Sequence, residues 1–443
     1  MTKQETLKPE ISKAINAFGQ NKFDEAEKYC LDLLKKENDP DANHIIGCIR
    51  MREKKFEESI SYINKALSEK NNDVGILISL GCAQSSKKDY IGSIKTFEKV
   101  ISIKTDISQV HFYLGESYRQ TDQFEKAIKA FQKCLDITPD HIGCQLILGI
   151  TYEELKKFDQ AIAFYKSCIE TYPDYIEPHI NLGMCYLLTG NYTDGWGEYE
   201  WRLKMPLELY KRDYHKPLWN GQDVDGKHIM IIAEHSVGET MQYLRFAKQL
   251  AVEGAQITIM AQDPIVEFLK TQSWISNVIP YDGTIPEIDY YCFMISLAKI
   301  LEWNPDMDTQ QFPYIKVTYK KLKRDNEKIR VGLVTTAPKE LSNYKQIILP
   351  DGSLDNCFPS NRFEVMDLPS IQDFDELIQM IDSCDLIISI EGIVPHIAGS
   401  LNKKTWLLLP SVPKHTWDLN FKTSSPWYPS LEIFRQKIAG DWT

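Results

Sequence analysis

The first half of the chain repeats its apolar and small positions every 34 residues. A glycine recurs at that interval, and an aromatic residue follows nine positions after each glycine. The glycines are Gly47, Gly81, Gly115, Gly149 and Gly183, and the aromatic residues are Phe56, Tyr90, Phe124, Phe158 and Tyr192. Small residues let the two helices of a hairpin approach closely, and large residues such as Phe97 and Phe131 fill the space between hairpins. The pattern predicts a stack of helical hairpins.

This pattern resembles the tetratricopeptide repeat (TPR). Pro139 and Pro173 end the second helix of two repeats, and Ala14, Phe23 and Ala26 indicate a degenerate first copy. We therefore predict a TPR array over 1–205 with about six repeats. Such an array forms a superhelix whose concave groove usually holds a protein or peptide segment. The alternative is an array that mediates only self-association.

The last repeat differs from the copies before it. Gly195 stands where alanine is expected, and Trp196, Tyr199 and Trp201 give the helix a broad aromatic face. We predict that this helix docks onto the domain that follows. Proline and glycine turn signals then predict a connector over 206–226.

Beyond the connector, short apolar runs alternate with amphipathic segments, which is typical of a parallel α/β sheet. The predicted strands are 228–233, 256–260, 278–279, 330–335, 385–390, 405–409 and 431–435, and the predicted helices include 239–253, 264–271 and 373–383. A charged stretch at 318–328 suits a linker. The predicted fold class is α plus α/β: a TPR superhelix followed by two Rossmann-like lobes, 227–322 and 323–443.

The strand-to-helix junction at 385–403 carries the candidate chemistry of the second lobe. An apolar run ends at Glu391 and Gly392, and Pro395 then lies where a helix begins. Free backbone N–H groups and the positive end of the helix dipole favour an anion at such a junction. Glu391 suits sugar hydroxyls, Gly392 permits close backbone approach, and His396 suits donation to a phosphate oxygen. An ordinary strand-to-helix turn with a capping histidine is the alternative.

Composition narrows the classes of function. The 443 residues carry a net charge of −11, which argues against nucleic acid as the main partner because phosphate contacts need a basic surface. No apolar run is long enough to span a membrane and the first residues lack the apolar core of a signal peptide, so we expect a cytoplasmic protein. The ten cysteines contain no C-x-x-C pair and are interpreted as reduced core residues; no metal site is predicted.

Several motifs occur in a characteristic order. They are Trp196-x-x-Tyr-Glu-Trp-Arg202, Val237-Gly-Glu-Thr240, Ser389-Ile-Glu-Gly-Ile-Val-Pro-His396, Trp406-Leu-Leu-Leu-Pro410 and Ser425-Pro-Trp-Tyr-Pro429. In this order they resemble bacterial TPR proteins with a C-terminal heptosyltransferase-like, GT-B-type glycosyltransferase domain. The resemblance implies metal-independent transfer of a sugar from a nucleotide-sugar donor to a flagellin-like protein or a glycan, with no further cofactor.

The resemblance also implies residue roles. Glu239, where the family normally has aspartate, is implied to be the general base that deprotonates the acceptor hydroxyl; a first-turn carboxylate favoured by the helix dipole is the alternative. Lys345 stands where the family tends to have arginine and is implied to neutralise the donor diphosphate; a solvated surface lysine is the alternative. Glu391 and Gly392 replace an Asp-Thr pair, whereas His396 matches.

The altered site residues and a shortened second lobe keep a second function open. Between Leu349 and Asp373 the chain is shorter than the family pattern and shows no clear helix or strand, so the second lobe is predicted to be shortened. Gln242 and Arg245, near Glu239, are interpreted as structural residues. The two hypotheses are an active TPR-guided glycosyltransferase and a catalytically degenerate glycosyltransferase-like domain kept as part of a TPR interaction scaffold.

Overall fold

The structure, a computed structural model, describes residues 8–307, 312–318, 322, 328–335, 349, 354, 357–368, 373–420, 422–438 and 440–442. The chain divides into two compact units, Met1–Asp174 and Tyr175–Thr443. The last predicted repeat therefore groups with the C-terminal unit, and our domain boundary at residue 205 falls inside that unit. Lys345 and most of the predicted linker 318–328 lie outside the described residues.

The first unit is a stack of antiparallel helical hairpins, as the period predicts. Its described helices are α1 Pro9–Gly19, α2 Phe23–Leu34, α3 Pro40–Arg52, α4 Phe56–Glu69, α5 Val74–Ser86, α6 Tyr90–Ile103, α7 Ser108–Arg119, α8 Phe124–Ile137, α9 Ile142–Glu154 and α10 Phe158–Thr171. The predicted helical repeat superhelix in the N-terminal region is confirmed.

The repeat glycines lie where the two helices of a hairpin touch. A methyl group at Gly115 would lie 2.5 Å from the ring of Phe131, which is fully buried. The same close approach pairs Gly81 with Phe97 and Gly149 with Tyr165. Phe97 also reaches the next hairpin, where its ring stacks on Tyr113 with the centroids 5.9 Å apart. One aromatic side chain thus fills its own hairpin and joins it to the next.

The second unit begins with a helical hairpin and continues into two α/β lobes. The hairpin is α11 Ile176–Thr189 and α12 Tyr192–Tyr199, followed by a 3₁₀ helix at Glu200–Lys204 and α13 Glu208–Lys211. The first lobe contains β1 His228–Ile232, α14 Val237–Val252, β2 Gln256–Ala261, α15 Asp263–Lys270, β3 Asn277–Pro280, β4 Tyr290–Phe293 and α16 Ser296–Ile300. The second lobe contains β5 Ile329–Val334, β6 Phe363–Asp367, α17 Phe374–Ser383, β7 Leu386–Ile390, α18 Ile393–Ser400, β8 Thr405–Leu409 and β9 Leu431–Arg435.

Both sheets are parallel in their described strands. The first has the order β3-β2-β1-β4, and the second has the order β6-β5-β7-β8-β9. The prediction of two parallel α/β sheets after the helical repeats is therefore confirmed. The central strands β1 and β7 are buried apolar runs, which explains why the sequence pattern located them.

Two edge strands were missed. β4 lies at one edge of the first sheet, and β6 lies at one edge of the second, within the stretch where we predicted no clear strand. That prediction was wrong because β6 is not a buried apolar run: two of its five residues, Glu364 and Asp367, are acidic, and Val365 is 44% exposed. An edge strand needs burial on one side only, so its hydrophobic signal is weak.

Candidate functional site

Each sheet has a point at which the strand order reverses. The chain proceeds from β1 to β2 on one side and returns to β4 on the other, and β5 is likewise flanked by β6 and β7. In open parallel sheets, ligands bind outside the carboxyl ends of the strands at such points. Glu234 follows β1 and Glu391 follows β7. These two carboxylates therefore mark the places where a ligand is expected.

The position in the first lobe is filled by protein groups. Arg202, from the 3₁₀ helix, donates from Nε and Nη2 to Glu234 Oε1 and Oε2 at 3.0 and 3.2 Å. Glu234 also accepts from the backbone N–H of Ile295 and the hydroxyl of Tyr210, each at 2.9 Å. Burial opposes the charge of Arg202, but Glu234 and Glu200 raise its pKa above the ordinary value. Sequence reasoning missed this pair, although Arg202 belongs to a motif that it singled out.

Glu239 lies in the first turn of α14 and forms a capping box with Ser236. Its backbone N–H donates to Ser236 Oγ at 3.3 Å, and its Oε2 accepts from the backbone N–H and hydroxyl of Ser236 at 3.1 and 2.9 Å. Burial would raise the pKa of Glu239, but His235, the Ser236 hydrogen bonds and His415 lower it. Glu239 thus caps the start of α14 through its side chain. Its role as a general base stays a prediction.

Two histidines beside Glu239 were not identified from the sequence. His235 precedes the Ser236 cap, and His415 packs against the ring of Tyr199 with the centroids 5.1 Å apart. Burial lowers the pKa of His415 to about 4, against the opposing attraction of Glu239. Only tertiary structure brings residue 415 to residue 239, so no local signal was available.

His396 lies in the first half of α18 and is buried. Its Nδ1 is 3.0 Å from the hydroxyl of Tyr428, and its ring stacks on Trp417 with the centroids 5.1 Å apart. Burial lowers the pKa of His396 to about 3, so the side chain is neutral at physiological pH. A methyl group at Gly238 would lie 3.1 Å from His396 Cδ2, which shows that the start of α14 lies against α18. Donation from His396 to a donor phosphate remains a prediction, but a charged imidazolium is not consistent with its burial.

Glu391 and Gly392 form the junction that precedes α18. Glu391 is 7% exposed; its Oε1 accepts from the backbone N–H of Lys414 at 3.2 Å, and its Oε2 has no hydrogen bond within the described residues. Burial raises the pKa of Glu391, and Lys414 and the neighbouring indole of Trp417 oppose that rise. Gly392 precedes the first helical residue, Ile393, and a methyl group placed on it would meet no atom within 4 Å. The junction thus combines open space with a buried carboxylate that lies between the Lys414 N–H and the indole of Trp417.

The structure brings together part of the predicted site. Glu239, Gly392 and His396 lie near the contact between α14 and α18, and Glu391 lies at the start of the same junction. Lys345 lies outside the described residues, so its role as a diphosphate ligand stays a prediction.

The aromatic face of α12 only partly matches its predicted role. Trp196 is 4% exposed, donates from Nε1 to the carbonyl oxygen of Trp303 at 3.1 Å, and packs edge-on against Trp427. Trp201 instead stacks on His179 of α11, with the ring centroids 3.6 Å apart. The ring stacking of Trp201 thus lies within its own hairpin, and its part in docking the hairpin onto the first lobe stays a prediction. Trp201 follows the end of α12, and the tighter winding of the 3₁₀ helix turns it back toward its own hairpin.

Two family models match parts of the first unit. The model described as tetratricopeptide repeat matches residues 40–73, and the model described as anaphase-promoting complex, cyclosome, subunit 3 matches residues 86–168. No curated protein matches the chain. The fold and these matches define an N-terminal region of TPR repeats that is followed by a unit with two parallel α/β sheets.

Similar solved structures include TPR proteins. A crystal structure of MamA is 22% identical and covers 36% of this chain and 93% of its own, with a TM-score of 0.34. MamA from Desulfovibrio magneticus RS-1 is 19% identical, covering 37% of this chain and 92% of its own at a TM-score of 0.34. YrrB, described as a TPR protein with an unusual peptide-binding site, is 14% identical, covering 40% of this chain and 93% of its own at a TM-score of 0.35.

Two further findings concern membranes and metals. Among the described residues, no helix is long and apolar enough to cross a membrane. The same residues contain no group of three or more His, Cys, Asp or Glu side chains arranged to hold a metal ion.

Proposed function

We propose that the TPR helices of the first unit hold a segment of a partner protein or peptide. The observation that carries this proposal is the continuity of the first helices of successive hairpins, α3, α5, α7 and α9, whose exposed sides we call the A-helix face. His44 Nε2 of α3 lies 2.8 Å from Ser79 Oγ of α5, and Arg119 of α7 donates to Glu154 of α9 at 2.7 Å. Side-by-side helices of this kind give TPR-type solenoids an extended binding surface.

The middle of the A-helix face offers aromatic and polar side chains to a partner. Phe112 is half-buried and stacks on His141, with the ring centroids 5.0 Å apart. Tyr113 is also half-buried, and its hydroxyl accepts from Gln109 at 3.3 Å. Partly exposed aromatic side chains beside hydrogen-bonding groups are common energetic centres of protein interfaces.

A site-specific photo-crosslinker tests this surface. The crosslinking amino acid replaces Gln109, which is exposed on α7, in the full chain; a matched variant carries it at Ile91, which is 55% exposed on α6 outside the A-helix face. We expect a defined crosslinked partner from position 109 and none from position 91. Equal crosslinking from both positions, or crosslinks only to a second copy of the chain, would contradict the proposal; the second outcome would support self-association instead.

A second candidate function, sugar transfer from a nucleotide-sugar donor by the two lobes, is favoured by Glu391. This carboxylate lies where the second sheet reverses its strand order, and its Oε2 has no hydrogen bond within the described residues. A carboxylate accepts hydrogen bonds from ribose or sugar hydroxyls, and the N-terminus of α18 beside Gly392 provides N–H donors for a diphosphate. On this proposal the TPR face presents the acceptor and Glu239 deprotonates its hydroxyl.

Donor binding and transfer separate the two functions. Titration calorimetry with nucleoside diphosphates and nucleotide sugars should detect binding to the wild type. Glu391→Gln should weaken that binding, because an amide is a poorer acceptor from a hydroxyl than a carboxylate. Glu239→Gln should retain binding and lose transfer, while Glu432→Gln, an exposed control in the same lobe, should change neither. If no nucleotide sugar binds at millimolar concentration, the lobes act only as part of the scaffold.

A further inference from the structure

One face of α14 is directed toward the second lobe and carries two buried polar side chains. Gly238, Gln242 and Arg245 are spaced four and three residues apart, so they lie on the same side of the helix. Gly238 lies against His396 of α18. At the other end, the guanidinium carbon of Arg245 lies 6.0 Å from the ring centroid of Tyr428. Gln242 is placed between these two contacts, in what we call the lobe seam.

Three polar atoms of these two side chains are buried without a partner in the described residues. Gln242 is 0% exposed, and neither its amide oxygen nor its amide nitrogen has a hydrogen bond within the described residues. Arg245 is 7% exposed, and its Nε also lacks a partner there. No described carboxylate forms an ion pair with Arg245. Buried amides and guanidinium groups in native proteins are normally paired, and an orphaned one indicates a missing ligand or water.

Aromatic rings account for only part of the environment of Arg245. Its guanidinium carbon lies 4.8 Å from the ring centroid of Phe312, 5.6 Å from that of Tyr314 and 5.7 Å from that of Trp427. Rings attract the cation through their faces, but they do not accept the five N–H groups at its edge as an oxygen does. Burial lowers the pKa of Arg245. Tyr314 and Tyr428 oppose that effect, and no acidic side chain contributes to the opposition.

The neighbouring hydroxyl groups are already engaged. Tyr314 donates to the carbonyl oxygen of Met241 at 2.8 Å, and the hydroxyl of Tyr428 lies 3.0 Å from Nδ1 of His396. The unused groups in the lobe seam are therefore mostly N–H donors around one positive charge. Such a set is complementary to an oxygen-rich anion, which a guanidinium binds through paired hydrogen bonds.

We propose that Arg245 and Gln242 form a binding site for a small oxyanion, a phosphate or carboxylate group, in the lobe seam. The guanidinium supplies the charge, the amide of Gln242 adds a hydrogen bond, and the exposed fraction of Arg245 gives the anion its approach. Because the aromatic walls come from both lobes, a bound anion stabilises their packing. This site is built on Arg245 and Gln242 and not on Glu391, so anion binding tests it without sugar transfer.

The test is anion-dependent thermal unfolding of the full chain, followed by tryptophan fluorescence. Inorganic phosphate and acetate are titrated in separate arms at constant ionic strength, with chloride as the balancing ion. We expect a saturable rise in melting temperature in at least one arm, because an anion that binds only the folded state stabilises it. The arm that responds distinguishes a phosphate site from a carboxylate site.

Variants decide whether the seam residues bind the anion. Arg245→Met should weaken the apparent affinity at least tenfold, whereas Arg362→Met, which removes an exposed arginine from the second lobe, should respond as the wild type does. Gln242→Leu removes both unpaired amide atoms; it should fold at least as stably without anion and should bind more weakly. A wild type that responds to neither anion overturns the proposal. Wild-type anion responses in both Arg245→Met and Gln242→Leu also overturn it. If Arg245→Met does not fold, the anion response of Gln242→Leu alone decides.

Discussion

Replacing Glu234 by glutamine tests how the hairpin α11–α12 is held to the first lobe. The 3₁₀ helix after this hairpin inserts Arg202 against Glu234, and both side chains are 1% exposed. Glutamine keeps the volume of the side chain but removes the charge that faces the guanidinium. We expect the variant to fold and to melt at a clearly lower temperature, because Arg202 stays buried without its main counter-ion.

The size of the effect follows from the contacts that remain. Removing one partner of a buried ion pair costs about 3–5 kcal/mol. Arg202 retains Ser296 Oγ at 2.8 Å and the carboxylate of Glu200, and the glutamine oxygen still accepts from the Ile295 N–H. We therefore expect the lower end, about 3 kcal/mol. For a domain of this size that corresponds to a fall of roughly 6–12 °C in melting temperature.

Tryptophan fluorescence is the suitable assay because every one of the nine tryptophans lies after residue 195, so the signal reports the second unit alone. Glu267→Gln is the matched control. Glu267 forms an ion pair with Lys270, with Nζ and Oε1 2.6 Å apart, but both side chains are exposed. Exposed pairs contribute little to stability. Equal melting temperatures for the Glu234 and Glu267 variants would refute the reasoning that the buried pair joins the hairpin to the lobe.

Two further predictions concern packing and pH. Gly115→Ala should destabilise the first unit by about 1–2 kcal/mol, because the overpacking against Phe131 exceeds the gain in helix propensity. The control is Gly19→Ala, which should be neutral or stabilising because a methyl group there meets nothing within 4 Å. Thermal melts followed by circular dichroism measure both variants. For His396, the folded pKa of about 3 lies below the ordinary value of 6.5, so the unfolded chain binds more protons between these values and stability falls as the pH drops from 6.5 toward 3. The free energy of unfolding from urea titrations across this range should depend less on pH in His396→Gln than in the wild type. In the control His215→Gln, where the histidine is exposed, the pH dependence should be that of the wild type. The same pH dependence in all three proteins would contradict the lowered pKa of His396.

The amino-acid sequence by itself determined the elements whose signals are local. The helical hairpins follow from a period of 34 residues, since four of the five repeat glycines meet a large side chain only 16 positions later in the same hairpin, as Gly115 meets Phe131. The buried central strands β1 and β7 were also predicted, because strands covered on both faces are continuous apolar runs. The junction at Glu391 could be located for the same reason: it follows one of these runs directly.

Tertiary structure alone decided which side chains meet and which remain without a partner. Glu234 pairs with Arg202, 32 residues earlier, and His415 approaches Glu239 from another lobe. Gln242 was interpreted as structural, yet its amide is buried without a hydrogen bond in the described residues. Spacing along a helix shows which residues share a face, but it does not show what lies opposite that face. Burial, and with it the pKa of a histidine or the cost of an unpaired amide, depends on those opposite atoms and is therefore set only when the lobes pack.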